Sequence, residues 1–128
     1  MPLLSIIANL LIVLIALMHI GFMVLEMFLW TRPLGLKIFG QSLDKAQASA
    51  KLAANQGIYN GFLAVGLIWA IFGGMFFPVS SLEAMHTAKL FLGFIVVAGI
   101  YGGITVNRRI MLVQALPAAV ALAIICFG

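Results

Sequence analysis

The sequence has very little charge. Only seven of its 128 residues are Lys or Arg and three are Asp or Glu, so charged residues make up 8% of the chain and hydrophobic residues 65%. With a mean hydropathy of +1.25, such a chain cannot cover itself with a water-facing surface. The scarcity of charge therefore excludes a soluble globular protein and predicts one that lies in a lipid bilayer.

Other absences restrict the chemistry. The one cysteine, Cys126, has no partner for a disulfide and no neighbouring His or Cys for a metal site, so we expect it to serve in packing. His86 also lacks a ligand set and is expected at the surface. The basic residues form neither a stripe nor a patch, which argues against a nucleic acid partner. We predict neither a metal nor a cofactor.

Four long apolar runs fill the rest of the chain. A membrane-spanning helix needs about 20 apolar residues, and four of them with short connections use up the whole sequence. We therefore predict one all-α domain over residues 1–128, an integral membrane four-helix bundle. Its spans cover about residues 3–30, 52–77, 82–106 and 110–127.

Local signals predict where the helices begin and end. Pro33 should end the first span. The polar stretch 37–51 is predicted to start as a loop and to enter a helix near Ser42, a suitable N-cap. "SSLE" predicts a capping box in which Ser80 is the cap and Glu83 reaches back to it. Pro117 is expected to kink the last helix, with neighbouring helices satisfying the freed carbonyl.

The basic residues predict the orientation. Six lie in the connections between the first and second spans and between the third and fourth, namely Arg32, Lys37, Lys45, Lys51, Arg108 and Arg109, whereas the opposite side has only Lys89, near the start of the third span. By the positive-inside rule both basic connections are cytoplasmic. The bundle is thus predicted to be N-out and C-out.

Polar residues gather near the predicted cytoplasmic ends of all four spans. They comprise His19, Glu26, Asn55, Gln56, Tyr59, Asn60, Tyr101, Thr105 and Gln114. Because an unsatisfied polar group in hydrocarbon costs several kcal/mol, we expect these side chains to face one another. They predict a ligand-binding pocket that opens to the cytoplasm.

Glu26 is the one acid within a predicted span, about one helical turn from its cytoplasmic end, and such residues are by default functional candidates. We predict that it is a proton or cation site, although pairing with a cation or with headgroups would also account for it. His19 lies seven residues away, so its side chain is about 10 Å from Glu26 along the axis. It is either a proton relay or a buried residue that ties the first helix to a neighbour.

Two pentapeptides, "GIYNG" and "GIYGG", place one tyrosine between glycines. Their GxxxG spacings, Gly57 with Gly61 and Gly99 with Gly103, predict close helix packing. Antiparallel helices would bring the two pentapeptides side by side. A homodimer through these glycine faces is an alternative.

"LEMFLW", "RPLGLKIFG", "LAANQGIYNGFLA" and "AGIYGGITV" resemble a bacterial family of small integral membrane proteins, domain-of-unknown-function family 1304. The resemblance covers nearly the whole chain. It implies a four-span, multi-pass protein of the inner membrane and brings no established activity.

Three functions fit these observations. The first is a small transporter or ligand-binding protein that holds a small molecule or lipid-like ligand, with Glu26 as its proton or cation site. The second is a membrane-embedded enzyme, isomerase-like, in which Glu26 and His19 are the acid and base. The third is an accessory or assembly subunit whose polar cluster only holds helices together.

Overall fold

A computed structural model, which describes residues 2–128, is built from helices. In chain order they are α1 (Pro2–Met27), α2 (Pro33–Phe39), α3 (Leu43–Phe76), α4 (Ser81–Thr105), α5 (Arg108–Ile110), a π-helical turn (Met111–Ala115) and α6 (Leu116–Phe127).

Four of the helical segments are long and apolar enough to cross a membrane: Pro2–Met27, Leu43–Phe76, Ser81–Thr105 and Arg108–Phe127. This confirms the predicted all-α membrane fold with four spans. The helix that contains the second span begins at Leu43, where the Ser42 cap predicted it, and runs for 34 residues, so it is longer than the predicted apolar span from about residue 52. Such a helix is about 51 Å long, well beyond the ~30 Å of hydrocarbon, so its polar first turns extend out of the lipid.

The prediction around Pro33 is wrong. α1 already ends at Met27, and Pro33 does not end a span but is the first residue of α2, a short helix in a region predicted to be a loop. Proline suits the first position of a helix, because the amide hydrogen that it lacks has no partner there. Arg32 before it is extended, with φ −86° and ψ 160°. Gly40 ends α2 in the left-handed region, with φ 60°.

The predicted caps are confirmed. The Ser42 hydroxyl accepts a hydrogen bond of 3.3 Å from the backbone N–H of Lys45 at the start of α3. At the start of α4 the Ser80 hydroxyl accepts from the Glu83 N–H at 3.2 Å, and the Glu83 carboxylate accepts from the Ser80 N–H at 2.7 Å. This reciprocal pair of hydrogen bonds fixes where α4 begins.

The last membrane segment is irregular immediately before Pro117. Residues Met111–Ala115 form a π-helical turn, in which the Leu116 N–H donates to the Met111 carbonyl five residues earlier. Pro117 has no N–H with which to continue the regular ladder. The irregularity predicted from this proline therefore takes the form of a π turn, which also holds Gln114.

The chain divides into two compact units. The first comprises Met1–Ala16 and Val65–Gly128, and is a four-helix bundle of the first half of α1, the end of α3, α4 and the last membrane segment. Its largest fully buried side chains are Ile12, Ile15, Leu67, Leu92 and Ile95. Large apolar residues elsewhere on these helices are exposed, as expected of helices that face lipid.

The second unit comprises Leu17–Ala64. It contains the second half of α1, α2 and the first part of α3. The buried residues of α3 in this unit are small and recur at intervals of three, four or seven: Ala46, Ala53, Gly57, Asn60 and Ala64. This spacing places them on one face of the helix, and Asn60 is the single polar member of that face.

Two glycines of α4 provide a matched test of helix packing. A Cβ added at Gly99 would lie 2.5 Å from the Ala115 backbone nitrogen, whereas one added at Gly93 would meet nothing within 4 Å. Gly→Ala in an open helix stabilises by up to about 1 kcal/mol. Gly93→Ala should therefore raise the thermal unfolding midpoint in detergent, and Gly99→Ala should lower it. Equal shifts of the same sign would contradict the observed contact.

Cys126 gives a test of the predicted orientation, because it is exposed near the end of α6. In intact cells a membrane-impermeant maleimide should label Cys126 if the C-terminus faces out. A Cys126→Ser, Asn107→Cys variant places the thiol in a predicted cytoplasmic connection and should be labelled only after permeabilisation. The reverse labelling pattern would contradict the predicted orientation, because it would place the C-terminus in the cytoplasm and residue 107 outside.

Candidate functional site

A hydrogen bond joins the intramembrane acid to a buried amide. Asn60 Nδ2 of α3 donates to Glu26 Oε1 of α1 over 2.8 Å. Asn60 is only 5% exposed, whereas Glu26 is half-buried and keeps part of its surface open. The contact lies within the second unit and joins two of the residues that the sequence predicted as a site.

Glycines beside Asn60 allow this contact. A Cβ added at Gly57 would lie 2.7 Å from Met27 Cγ and 3.2 Å from Glu26 Cβ, and one added at Gly61 would lie 2.8 Å from Met23 Sδ. The missing side chains let α3 approach α1 closely on both sides of the asparagine. The first pentapeptide therefore brings Asn60 within reach of the Glu26 carboxylate.

A second polar contact joins α3 to the turn that directly follows α1. Trp30 Nε1 donates to Ser49 Oγ over 3.1 Å, and the Ser49 hydroxyl donates to the Lys45 carbonyl over 2.8 Å. The Trp30 ring also lies 4.7 Å from that of Phe39 in α2. Sequence reasoning missed Ser49, although its place between Ala46 and Ala53 on the small-residue face would have indicated it.

His19 is fully buried, with none of its surface exposed. Its ring meets that of Phe22 edge-on, with centroids 5.5 Å apart, and it has a further bonding partner. Seven residues separate it from Glu26, which is about 10 Å along the helix. In this conformation the structure supports its role as a buried tie more directly than a role in contact with a ligand.

The other polar residues at the start of the second predicted span occupy exposed positions of α3. Asn55, Gln56 and Tyr59 are exposed, Tyr59 by 53%. The Tyr59 ring meets Phe62 edge-on at 5.9 Å. Exposed tyrosine near a span end is typical of the membrane–water interface, so these three residues do not share the Glu26 contact.

The remaining candidates belong to the first unit. Tyr101 is 70% exposed, and the exposed Thr105 donates its hydroxyl hydrogen bond to the Tyr101 carbonyl of its own helix over 2.7 Å. Gln114 is half-buried in the π turn and has a bonding partner. None of the three is a fully buried polar group.

The glycines of the second pentapeptide close on the last membrane segment. A Cβ at Gly99 would meet Ala115, and one at Gly103 would lie 2.6 Å from Met111 Cβ. Each pentapeptide thus packs within its own unit, the first on α1 and the second on the residues of the π turn. These glycine faces are covered by side chains of the same chain.

Residues 2–128 contain no group of three or more His, Cys, Asp or Glu side chains placed to hold a metal ion. His86 is exposed and lines an open groove beside Trp69 and Phe77 in the first unit.

The Glu26 and Asn60 side chains have complementary chemistry. A carboxylate only accepts hydrogen bonds, whereas a protonated carboxyl also donates one, and an amide offers both a donor and an acceptor. Asn60 donates in the geometry observed. A half-turn of its amide would present Oδ1 instead, which accepts from a protonated Glu26. The pair can therefore satisfy either protonation state without moving a helix.

A double-mutant cycle measures this contact. Glu26→Ala and Asn60→Ala should each destabilise the protein in detergent, and the double variant should lose less than their sum. Interhelical hydrogen bonds in membranes give coupling energies of about 0.6 kcal/mol on average and up to ~1.7 kcal/mol. Asn55→Ala, an exposed asparagine of the same helix, is the control and should show no coupling to Glu26→Ala. Additive effects at Asn60 would mean that the bond contributes nothing.

Residues 13–126 match the family described as a protein of unknown function, DUF1304. The chain is also 36% identical over 124 residues to the uncharacterized protein YpaA of Lactococcus lactis subsp. lactis (strain IL1403), covering 95% of this chain and 96% of that protein. No solved structure gives a significant match. The chain described here is therefore a member of the DUF1304 family.

Proposed function

We propose that this protein is a small membrane transporter or ligand-binding protein in which Glu26 takes up a proton or a small cation. One observation carries the proposal: the Glu26 carboxyl group, in a helix fit to span the membrane, is held by the buried amide of Asn60 while part of its surface stays open. We place the protein in the inner membrane, with this end of the helices toward the cytoplasm.

The place of Glu26 in its helix supports a functional role. Ionisable residues within membrane helices are rare and mark ion pathways or proton relays. Glu26 is the penultimate residue of α1, so its carboxyl lies toward one end of that span, where a proton or cation can reach it. Its hydrogen-bonding partner Asn60 brings no positive charge to neutralise it.

The partner of the acid also supports proton or cation exchange. A Lys or Arg partner would hold Glu26 in its charged form. An asparagine leaves the net charge of the site to be set by the bound proton or cation. The part of Glu26 that is not covered by protein provides a path for that ion.

The enzyme alternative is less well supported by the geometry. Acid–base chemistry with two groups requires both to reach the substrate within about 3 Å. His19 has no exposed surface and is two helical turns from Glu26. A substrate in contact with Glu26 would meet one titratable group rather than two.

Infrared spectroscopy of the protein in lipid tests the proton site and does not require the ligand to be identified. A protonated carboxyl has a carbonyl stretch apart from the amide bands, and its intensity should fall as the pH is raised. This signal should be absent in Glu26→Gln and kept in Glu83→Gln, which removes the carboxylate exposed at the start of α4. A titrating signal that persists in Glu26→Gln would assign the proton elsewhere.

Transport is tested in proteoliposomes with a pH-sensitive dye inside. A panel of organic cations, amines and polyols added outside should reveal proton movement for at least one compound class, and Glu26→Gln should abolish it. Asn60→Asp retains a polar partner but adds a negative charge, and should alter the pH dependence of the flux.

If a lipid is converted and no flux is seen, the role as a membrane-embedded enzyme is favoured. If the Glu26→Gln variant retains every phenotype of the unmutated protein, the role as an accessory or assembly subunit is favoured.

A further inference from the structure

A cavity of about 370 Å³ lies in the first unit, at the end of the bundle where α1 begins. Residues of all four bundle segments line it, including Asn9 of α1, Ile71 of α3, Met85 of α4 and Ile124 of the last segment. We call it the bundle cavity. Its volume falls in the range of small-molecule sites, about 300 to 1,000 Å³.

Asn9 is an unexpected residue for this place. Its side chain is exposed and lines the bundle cavity, seven residues after the helix start at Pro2, or about 10 Å along the axis. α1 is ~39 Å long and exceeds the hydrocarbon by ~9 Å. Even if all of that excess protruded at this end, Asn9 would reach the hydrocarbon boundary.

An amide at this depth requires a hydrogen-bonding partner, because leaving it unsatisfied in hydrocarbon costs several kcal/mol. Water alone fits the bundle cavity poorly. The cavity is open to the surface on the side of the exposed Asn9, so water can enter it, but its inner part offers that water few polar groups to bond to. Apart from Asn9, the polar side chains in the lining are those of Ser5 and Ser81.

The lining also defines the charge of the occupant. None of its side chains is acidic or basic, and most are aliphatic or small. A charged headgroup would lose part of its hydration with no charged side chain in the lining to pair with it. An apolar body would instead contact Ile12, Ile71 and Met85, while one neutral polar group hydrogen-bonds to Asn9.

We infer that the bundle cavity is a binding site for a neutral single-chain amphiphile, such as a fatty alcohol or monoacylglycerol, whose hydroxyl group is recognised by Asn9. This inference does not rest on the proposed function of Glu26, since the site is built from other residues and lies in the other unit.

Photolabelling with a diazirine-bearing decanol tests the site in nanodiscs of phosphatidylcholine. Adducts should concentrate on lining residues such as Ile71 and Met85, and the labelling should saturate. Excess decanol should compete for the site about fivefold better than decane, as one net hydrogen bond allows. Decyltrimethylammonium, which carries a charge, should compete less well than decanol.

Two pairs of variants separate recognition from folding. Asn9→Leu removes the amide with little change in size and should abolish the preference for decanol over decane, whereas the exposed Asn55→Leu should not. Ala84→Phe fills the bundle cavity and should reduce the adducts about tenfold, while Val97→Phe, at a 68% exposed position of the same helix, should leave them unchanged.

Other outcomes would overturn the inference. Labelling that does not saturate, or that spreads equally over Leu10 and Val97, would show an ordinary lipid-facing surface. An unchanged preference for decanol in Asn9→Leu would show that the hydroxyl is not recognised there. Equal labelling of the Ala84→Phe variant, with the fold retained by circular dichroism, would place the probe outside the cavity.

Discussion

The hydrogen bond between Asn60 and Glu26 is the contact on which the second unit depends. It requires α3 to approach α1 closely, and the small residues beside Asn60 make that approach possible. It also requires the two helices to be in register, since a shift of one residue would move Asn60 off the buried face and leave a carboxyl in hydrocarbon with no amide beside it. A single polar residue on an otherwise small or apolar face is an effective device for fixing register. The Trp30 contact with Ser49 supports the same register nearer the start of α3.

Packing and chemistry make opposite demands at this contact. Packing alone would be served by alanine or leucine on both helices, and the first unit shows such a solution, with Ile12, Ile15 and Leu92 fully buried. The second unit instead contains an acid and an amide, at a cost in stability. Proteins usually keep an intramembrane ionisable group where it binds or moves something. The contrast between the two units therefore singles out Glu26 and Asn60 more clearly than a count of the polar residues in the spans does.

Much of the fold could be predicted from the sequence, because the bilayer imposes simple rules on length and hydropathy. Four apolar runs predicted four spans, and short-range signals such as the Ser80–Glu83 box predicted helix starts that the structure confirms. The misplaced end at Pro33 has a physical explanation: proline is unfavourable within a helix but favourable at its first position, and the sequence alone did not distinguish them. The polar first turns of α3 carry no hydropathy signal, so its start at Leu43 was predicted from the Ser42 cap and not from the apolar run.

The site was only partly predictable. Depth could be counted along each helix, which placed Glu26 and Asn60 at a similar level, and the structure joins these two by a hydrogen bond. Depth does not say which face of its helix a residue occupies. Asn55, Gln56 and Tyr59 share the depth of Asn60 and are nevertheless exposed. The intervals between small residues, from Ala46 through Gly57 to Ala64, would have identified the buried face of α3. Asn9 could not be selected by depth, because it lies at the opposite end of α1 from the polar cluster.

The central claim is that the Asn60 amide serves both protonation states of Glu26. The most direct measurement is a pH titration of the side-chain amide signals by nuclear magnetic resonance, with isotope-labelled asparagine and the protein in detergent. The Asn60 signal should move through one transition that disappears in Glu26→Gln, while the exposed Asn55 signal stays still. An Asn60 signal that does not respond to pH, or that responds equally in Glu26→Gln, would contradict this claim.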